Sequence, residues 1–285
     1  MANDDASIPP VLGILAGGGD APRRLLGVLE QTRRPYALIC IEGQADPGLA
    51  EGRDHIHLPL GAGAAARDYL RGKGAEEVVL IGRVRRPSLF ELKPDFFTMQ
   101  KLLQLGFSAL GDDGVLQGVA RIIEAEGFRV IGIQDVLAGL LTPAGQLGAA
   151  APNEQDWSDI KRGVAVARQL GLADVGQAVV VQHGMVLGVE AIEGTDALLE
   201  RAGRLKRAGG GGVLVKMAKP QQDRRLDLPA IGVDTVMHLA AAGLAGMALE
   251  AGASLLLDRD AVIAATDRAG LFAIGLDAAQ TGRQS

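Results

Sequence analysis

Short apolar runs alternate along this chain with stretches whose apolar residues recur every three or four positions. Val11 to Leu15, Tyr36 to Ile41, Ile56 to Leu60, Glu77 to Ile81 and Arg129 to Ile133 are rich in aliphatic residues, the pattern of strands buried on both faces. Between them, Pro22 to Gln31, Ala64 to Arg71, Asp95 to Leu105 and Val115 to Glu126 have helical spacing. Such alternation predicts βαβ units and a parallel sheet covered by helices, here a Rossmann-like N-terminal domain over 1–137. From Ala138 to Pro152 the pattern lapses into Gly, Ala and Pro, which reads as an interdomain linker. A second, mixed α/β domain is expected over 153–285. It comprises a helix from Gln155 to Leu170, a hairpin from Ala178 to Glu190 turning at His183-Gly184, and a helix from Thr195 to Lys206. A strand at Gly212, a long apolar helix from Asp234 to Glu250, and short strands near Ser254 and Phe272 complete it. The fold class is therefore α/β in two domains.

Composition narrows the function classes. The chain has 285 residues, 48% hydrophobic and 22% charged, enough to bury a sizeable core. Its net charge of −5 is the wrong sign for a general nucleic-acid binder. Cys40, the one cysteine, lies within an apolar strand and reads as a core residue rather than a nucleophile. The first ten residues are polar and acidic, without the basic-then-apolar order of a secretory signal. The apolar stretch from Leu239 to Leu249 is too short to span a bilayer. A cytoplasmic protein is expected.

The candidate chemistry concentrates in Lys216-Met-Ala-Lys219-Pro-Gln-Gln222-Asp223-Arg224-Arg225-Leu-Asp227, a strand-to-helix loop closed at its ends by Pro220 and Pro229. Cations there can hold phosphate oxygens, and a carboxylate among them can bind a hard divalent metal or orient water. The same residues also suit a solvated loop of surface ion pairs. A glycine-rich turn, Gly17-Gly18-Gly19-Asp20, follows the first strand. Its amides and the helix start suit an anion, as they suit a tight connection with Asp20 as a cap. Arg83, Arg85 and Arg86 follow the fourth strand on the same expected sheet edge. Glu190, Glu193, Thr195 and Asp196 form a strand end and helix start that suits a metal, a phosphate or plain capping. Gly111-Asp-Asp-Gly114 reads more readily as a cap than a metal site. His55 and His57 lack partners at ligand spacing. His238 reads as a core histidine, and Trp157 as an anchor for a helix capped by Asn153 or Asp156.

Four motifs in order then carry a resemblance: Ala16-Gly-Gly-Gly-Asp-Ala-Pro22, Glu193-Gly-Thr-Asp196, the loop from Lys216 through Asp223 and Asp227 to Gly232, and Asp234-Thr235. They resemble the UDP-2,3-diacylglucosamine pyrophosphatases of lipid A biosynthesis of the alphaproteobacterial type, over nearly the whole chain. The resemblance implies hydrolysis of a glycolipid nucleotide to 2,3-diacylglucosamine 1-phosphate and UMP, two domains with the lipid product held between them, and a homodimer. It also implies dependence on Mg2+ or Mn2+. The family's essential aspartate falls on Asp223. Lys216, Lys219, Arg224 and Arg225 are then expected to stabilise phosphoryl charge. Metal ligation falls to Asp223, with Glu193, Asp196, Asp227 and Asp234 as further candidates. Substrate contacts fall to Gly17, Gly18, Gly19, Asp20, Arg83, Thr195, Gln222 and Thr235. The apolar helix from Val236 to Leu249 is a candidate lining for acyl chains, and peripheral contact with the inner membrane is expected. A nicotinamide-dependent oxidoreductase, supported by the glycine turn and Glu42, and a non-catalytic UDP-sugar or lipid-phosphate carrier stand as alternatives.

Overall fold

A computed structural model describes residues 9–84, 94–105, 112–137 and 139–282. The chain divides into two compact units, 1–137 and 138–285. In the first unit, β1 (Val11–Ala16), β2 (Tyr36–Ile41), β3 (His55–Leu58), β4 (Ala75–Ile81) and β5 (Arg129–Val130) form one parallel sheet of order β3-β2-β1-β4-β5. The chain winds outward from β1 to β3, then crosses back to β4 on the other side of β1. The loops after β1 and β4 therefore meet at the carboxyl edge, where open α/β sheets bind ligands. Helices α1 (Asp20–Gln31), α2 (Gly63–Gly72), α3 (Phe96–Leu105), α4 (Asp112–Ala125) and the single turn α5 (Ile133–Val136) connect the strands. Helix α1 buries Leu25, Leu26 and Leu29. Cys40 is fully buried in β2, and burial pushes its thiol pKa up, as a core cysteine requires. Arg85, Arg86 and Gly111 of the sequence motifs lie outside the described residues, as do the side chains of Asp112 and Asp113.

The second unit is built on a six-stranded sheet of order β6-β13-β11-β9-β7-β8. Its members are β6 (Gly145–Gln146), β7 (Ala178–Gln182), β8 (Met185–Val189), β9 (Val213–Lys216), β11 (Gly246–Glu250) and β13 (Phe272–Leu276). β9, β11 and β13 run parallel, and β7 runs against β9 and β8. Hence β8, β9, β11 and β13 end on a common edge. Their residues alternate between two cores. Val179, Val181, Val213 and Val215 pack with Ile160, Val164 and Ala167 of α6 (Glu154–Leu172). Val180, Leu214, Met247 and Leu249 pack with α7 (Gly194–Leu205), α8 (Val233–Ala241) and α9 (Arg259–Arg268). Burial on both faces is why these strands read as unbroken apolar runs. Asn153 caps α6, exchanging bonds with Asp156 in a capping box, as its sequence suggested. A short parallel pair, β10 (Ala230–Ile231) with β12 (Leu255–Leu256), and a C-terminal turn, α10 (Ala278–Thr281), complete the unit.

Two expectations change. The long helix from Asp234 to Glu250 is instead α8 followed by β11, a strand in the middle of the sheet. The helix stops at Gly243 (φ 64°), where the Leu244 amide donates to the Leu239 carbonyl and the Gly243 amide to that of Ala240. This is a Schellman stop, and it removes the proposed acyl-lining helix, since β11 is buried throughout. The expected linker over 138–152 is part of the second unit. Thr142 exchanges amide–carbonyl bonds with Ser254 and Gly252, Leu256 donates to Leu140, and Leu147 donates to Ala273. The segment lies directly against β13, and Gly275 of that strand permits the approach: a Cβ there would sit 1.8 Å from the Pro143 carbonyl oxygen. Helix α9 and the strands β6 and β10 had no counterpart in the sequence reading.

Gly275→Ala is therefore expected to destabilise the second unit by about 2 kcal/mol or more, since backbone must shift in a packed core, and to open 138–152 to proteolysis. Wild-type stability in urea and unchanged cleavage there would contradict the strap.

Candidate active site

The carboxyl edge of the second sheet gathers most of the expected site. Strand β9 ends in Lys216, and the chain then runs through Met217 to Asp227 across that edge. Lys216 and Lys219 are each only 6% exposed, and a buried ammonium needs partners to offset its lost hydration. The Lys216 ammonium donates to Thr195 Oγ1 at 2.8 Å and to the Ala230 carbonyl at 3.3 Å. The Lys219 ammonium pairs with Asp174 at 2.6 Å. Gln222, also buried, accepts from the Lys219 amide at 3.0 Å and donates to Asp227 Oδ2 at 2.9 Å, cross-bracing the loop. Burial holds the Asp227 carboxyl above its usual pKa and Glu190 adds to the rise, while Lys216, Lys219 and Gln222 act against it.

Asp223 stands at the more exposed end of the loop. Its carboxylate accepts from the Arg225 amide, Nε and Nη2, the last at 2.7 Å, and Arg225 accordingly holds its pKa below the ordinary value. Arg224 is exposed. Thr195 and Thr235 lie in the first turns of α7 and α8, Thr235 buried.

The other carboxylates named from sequence do not converge with Asp223. Glu193 pairs with Arg201 at 2.7 Å. Its pKa is held down first by its own backbone amide and then by Arg201. Asp196 faces His238 at 3.4 Å. His238 is exposed on α8 rather than in the core, because the helical period turns it away from the face that buries Val236 and Leu239. Asp234 is exposed in the first turn of α8. Among the described residues no three His, Cys, Asp or Glu side chains gather as a metal site. Asp223 and Asp227 are the carboxylates of the loop itself, and an ion held there would draw its remaining oxygens from substrate and water.

Three further polar residues complete the edge: Glu190, which the sequence placed at a strand end beside Thr195, and Glu250 and Asp174, which the sequence reading did not single out. Glu190 follows β8 and accepts from the Thr195 hydroxyl at 2.5 Å. Glu250 ends β11, 3% exposed, and accepts from the Ala218 amide at 3.1 Å. Asp174 follows α6 in the left-handed region (φ 53°), an uncommon place for a residue other than glycine. Its signal in the sequence was an aspartate standing where a helix-ending glycine is the usual choice.

In the first unit the glycine turn is committed to protein partners. The Gly17 amide donates to the Ile81 carbonyl, Gly18 and Arg83 exchange amide–carbonyl bonds at 2.9 and 2.7 Å, and the Gly19 amide donates to Asp46 Oδ2 at 3.0 Å. The turn thus ties the loops after β1 and β4 together, and a carboxylate stands where the Gly19 amide would meet a dinucleotide's pyrophosphate. Asp20 is the exposed first residue of α1, and its N-cap is Gly19. Glu42 is exposed after β2.

Comparison with known proteins also finds two domains in the chain. The LpxI N-terminal domain matches residues 11–140 and the LpxI C-terminal domain residues 143–274. The chain is also 41% identical over 275 residues to the UDP-2,3-diacylglucosamine pyrophosphatase LpxI of Caulobacter vibrioides, a match covering 93% of this chain and 97% of that protein.

The position of Asp227 has a consequence for stability. A carboxyl whose folded pKa is raised favours the fold when protonated, and that contribution is lost as pH rises through the folded value. Asp227→Asn can still accept from Gln222. It is expected to raise the thermal midpoint near pH 7, by about 2–4 °C per kcal/mol gained, with the gain disappearing below the ordinary carboxylate range. A midpoint at or below wild type near pH 7 would contradict the burial argument.

Proposed function

The chain belongs to the LpxI family, and we propose that it hydrolyses the pyrophosphate of UDP-2,3-diacylglucosamine. A water oxygen bonds to one phosphorus, the bridging P–O bond breaks, and two phosphate monoesters leave, UMP and 2,3-diacylglucosamine 1-phosphate. The water's protons pass to solvent and to the departing oxygen. The observation that carries this reading is the pair of buried ammonium groups, Lys216 and Lys219, in one loop with the Asp223–Arg225 ion pair. A pyrophosphate is a polyanion, and its cleavage is accelerated by cations already fixed where charge develops, in surroundings that exclude water. Lys216 and Lys219 meet that requirement. Arg225, half-exposed on Asp223, has the planar fork that fits a carboxylate or a phosphate equally well, and Arg224 adds a second guanidinium at the rim.

Asp223 would hold a Mg2+ or Mn2+ ion jointly with substrate phosphoryl oxygens, and such an ion, when bound, neutralises phosphoryl charge and acidifies a bound water. Asp227, deeper in the loop, accepts from Gln222 and braces the segment that carries the two lysines. Two acyl chains keep the substrate in a bilayer, and none of the described helices is long and apolar enough to cross one. Peripheral contact with the inner membrane from the cytoplasmic side follows as part of the same proposal. So does a homodimer, whose signature is a doubled mass in light scattering.

Asp223→Asn tests the assignment: UMP release from UDP-2,3-diacylglucosamine is expected to fall on the order of a hundredfold or more, with the melting curve little changed. An Asn variant releasing UMP near the wild-type rate would remove Asp223 from the chemistry. Exhaustive chelation with EDTA is expected to abolish turnover, and Mg2+ or Mn2+ to restore it. Undiminished activity after chelation would exclude the ion.

A further inference from the structure

The polarity of the hydrogen bonds behind Lys216 is fixed. An ammonium only donates, so Thr195 Oγ1 must accept from Lys216. The single Thr195 hydroxyl proton is then directed to Glu190 Oε1, at 2.5 Å, a length typical of a bond to a charged acceptor. The other carboxylate oxygen, Oε2, accepts the Gln177 amide at 3.2 Å. Both oxygens of Glu190 are acceptors. Glu190 is 7% exposed. It follows β8 and Lys216 ends β9, and both chain ends lie on the same sheet edge. Thr195 bridges them from the first turn of α7. The charged groups around this line are Lys219 and Asp227 of the loop, the latter influenced by Glu190, Lys216 and Lys219 together.

We propose that Glu190 is a positioning residue for the pyrophosphatase reaction: through Thr195 it fixes the direction in which Lys216 presents its ammonium. Lys216 has three N–H donors. The Thr195 and Ala230 bonds use two, and their angle sets where the third points, toward a phosphoryl oxygen. If Thr195 lost its acceptor, its hydroxyl would turn, and Lys216 would adopt several directions instead of one. The ground-state complex would still form, held by the nucleotide and the lipid, but fewer bound substrates would meet an aligned cation. Such misalignment acts on the chemical step.

This inference rests on the hydrolase reading, so wild-type UMP release is measured first; its absence would defeat that reading and not the relay alone. In Glu190→Gln one oxygen becomes an NH2 group, so either the Thr195 hydroxyl or the Gln177 amide loses its acceptor. The expected result is a kcat lower by about 10- to 100-fold, with KM within about twofold. Thr195→Val, near in size and without the hydroxyl, breaks the same line from its middle and is expected to lose a similar factor. The decisive comparison uses Lys216→Met as background. There Glu190→Gln should lower kcat no further, because the side chain through which Glu190 acts is gone. A loss that multiplies in that background, or a full kcat for either single variant in active, folded protein, would overturn the relay.

Discussion

The second unit depends on one constraint: two ammonium groups are held out of water at the end of a central strand. Each would be costly to bury alone. Lys216 is met by Thr195 with Glu190 behind it, and Lys219 by Asp174. Gln222 ties the Lys219 amide to Asp227, so the loop carrying the cations is braced from within. The sheet order makes this possible, because the ends of β9 and β11 lie side by side, β8 ends on the same edge one strand beyond β7, and Glu190, Lys216 and Glu250 come to that edge from chain positions far apart. Asp174 pairs with Lys219 from a left-handed backbone position just past the end of α6.

The first unit solves a different problem with a similar-looking sequence. Its glycine turn sits at the edge where doubly wound sheets hold anions, yet its amides go to Ile81, Arg83 and Asp46. Backbone closure across the β1–β4 junction and an internal carboxylate serve there in place of a phosphate cradle. Gly-x-Gly spacing alone does not distinguish these uses, since both need backbone to approach closely.

The chain pattern revealed the parallel sheet of the first unit, the hairpin at His183-Gly184, the cap at Asn153 and the charged loop, because each has a strong local signal in period, turn residue or charge density. Two errors had the same root. Between Asp234 and Glu250, Ala, Gly, Leu and Met supply apolar positions at both helical and strand spacing, and only Gly243 marks the change. From 138 to 152, small residues suggested a flexible connection, whereas the segment is bonded to β13 and its neighbours and lies against Gly275. Asp223 and the lysines were legible as a cluster, but their partners were not. Glu190 stood in a candidate motif, but nothing in the sequence tied it to Lys216, and Asp174 and Glu250 are single acidic residues in unremarkable contexts. The dispersed carboxylates Glu193, Asp196 and Asp234 looked like ligands because they belong to the motifs that carry the resemblance, while the fold sends them to Arg201, His238 and solvent.

The central claim is that a buried, pre-oriented Lys216 acts on the transition state. Rapid-quench single-turnover measurement on Lys216→Met tests it most directly, with UDP-2,3-diacylglucosamine at saturating enzyme and direct measurement of substrate binding. The account predicts a chemical step slower by about a hundredfold or more, with substrate affinity changed by less than about tenfold. A wild-type single-turnover rate, or a loss residing wholly in affinity, would contradict it.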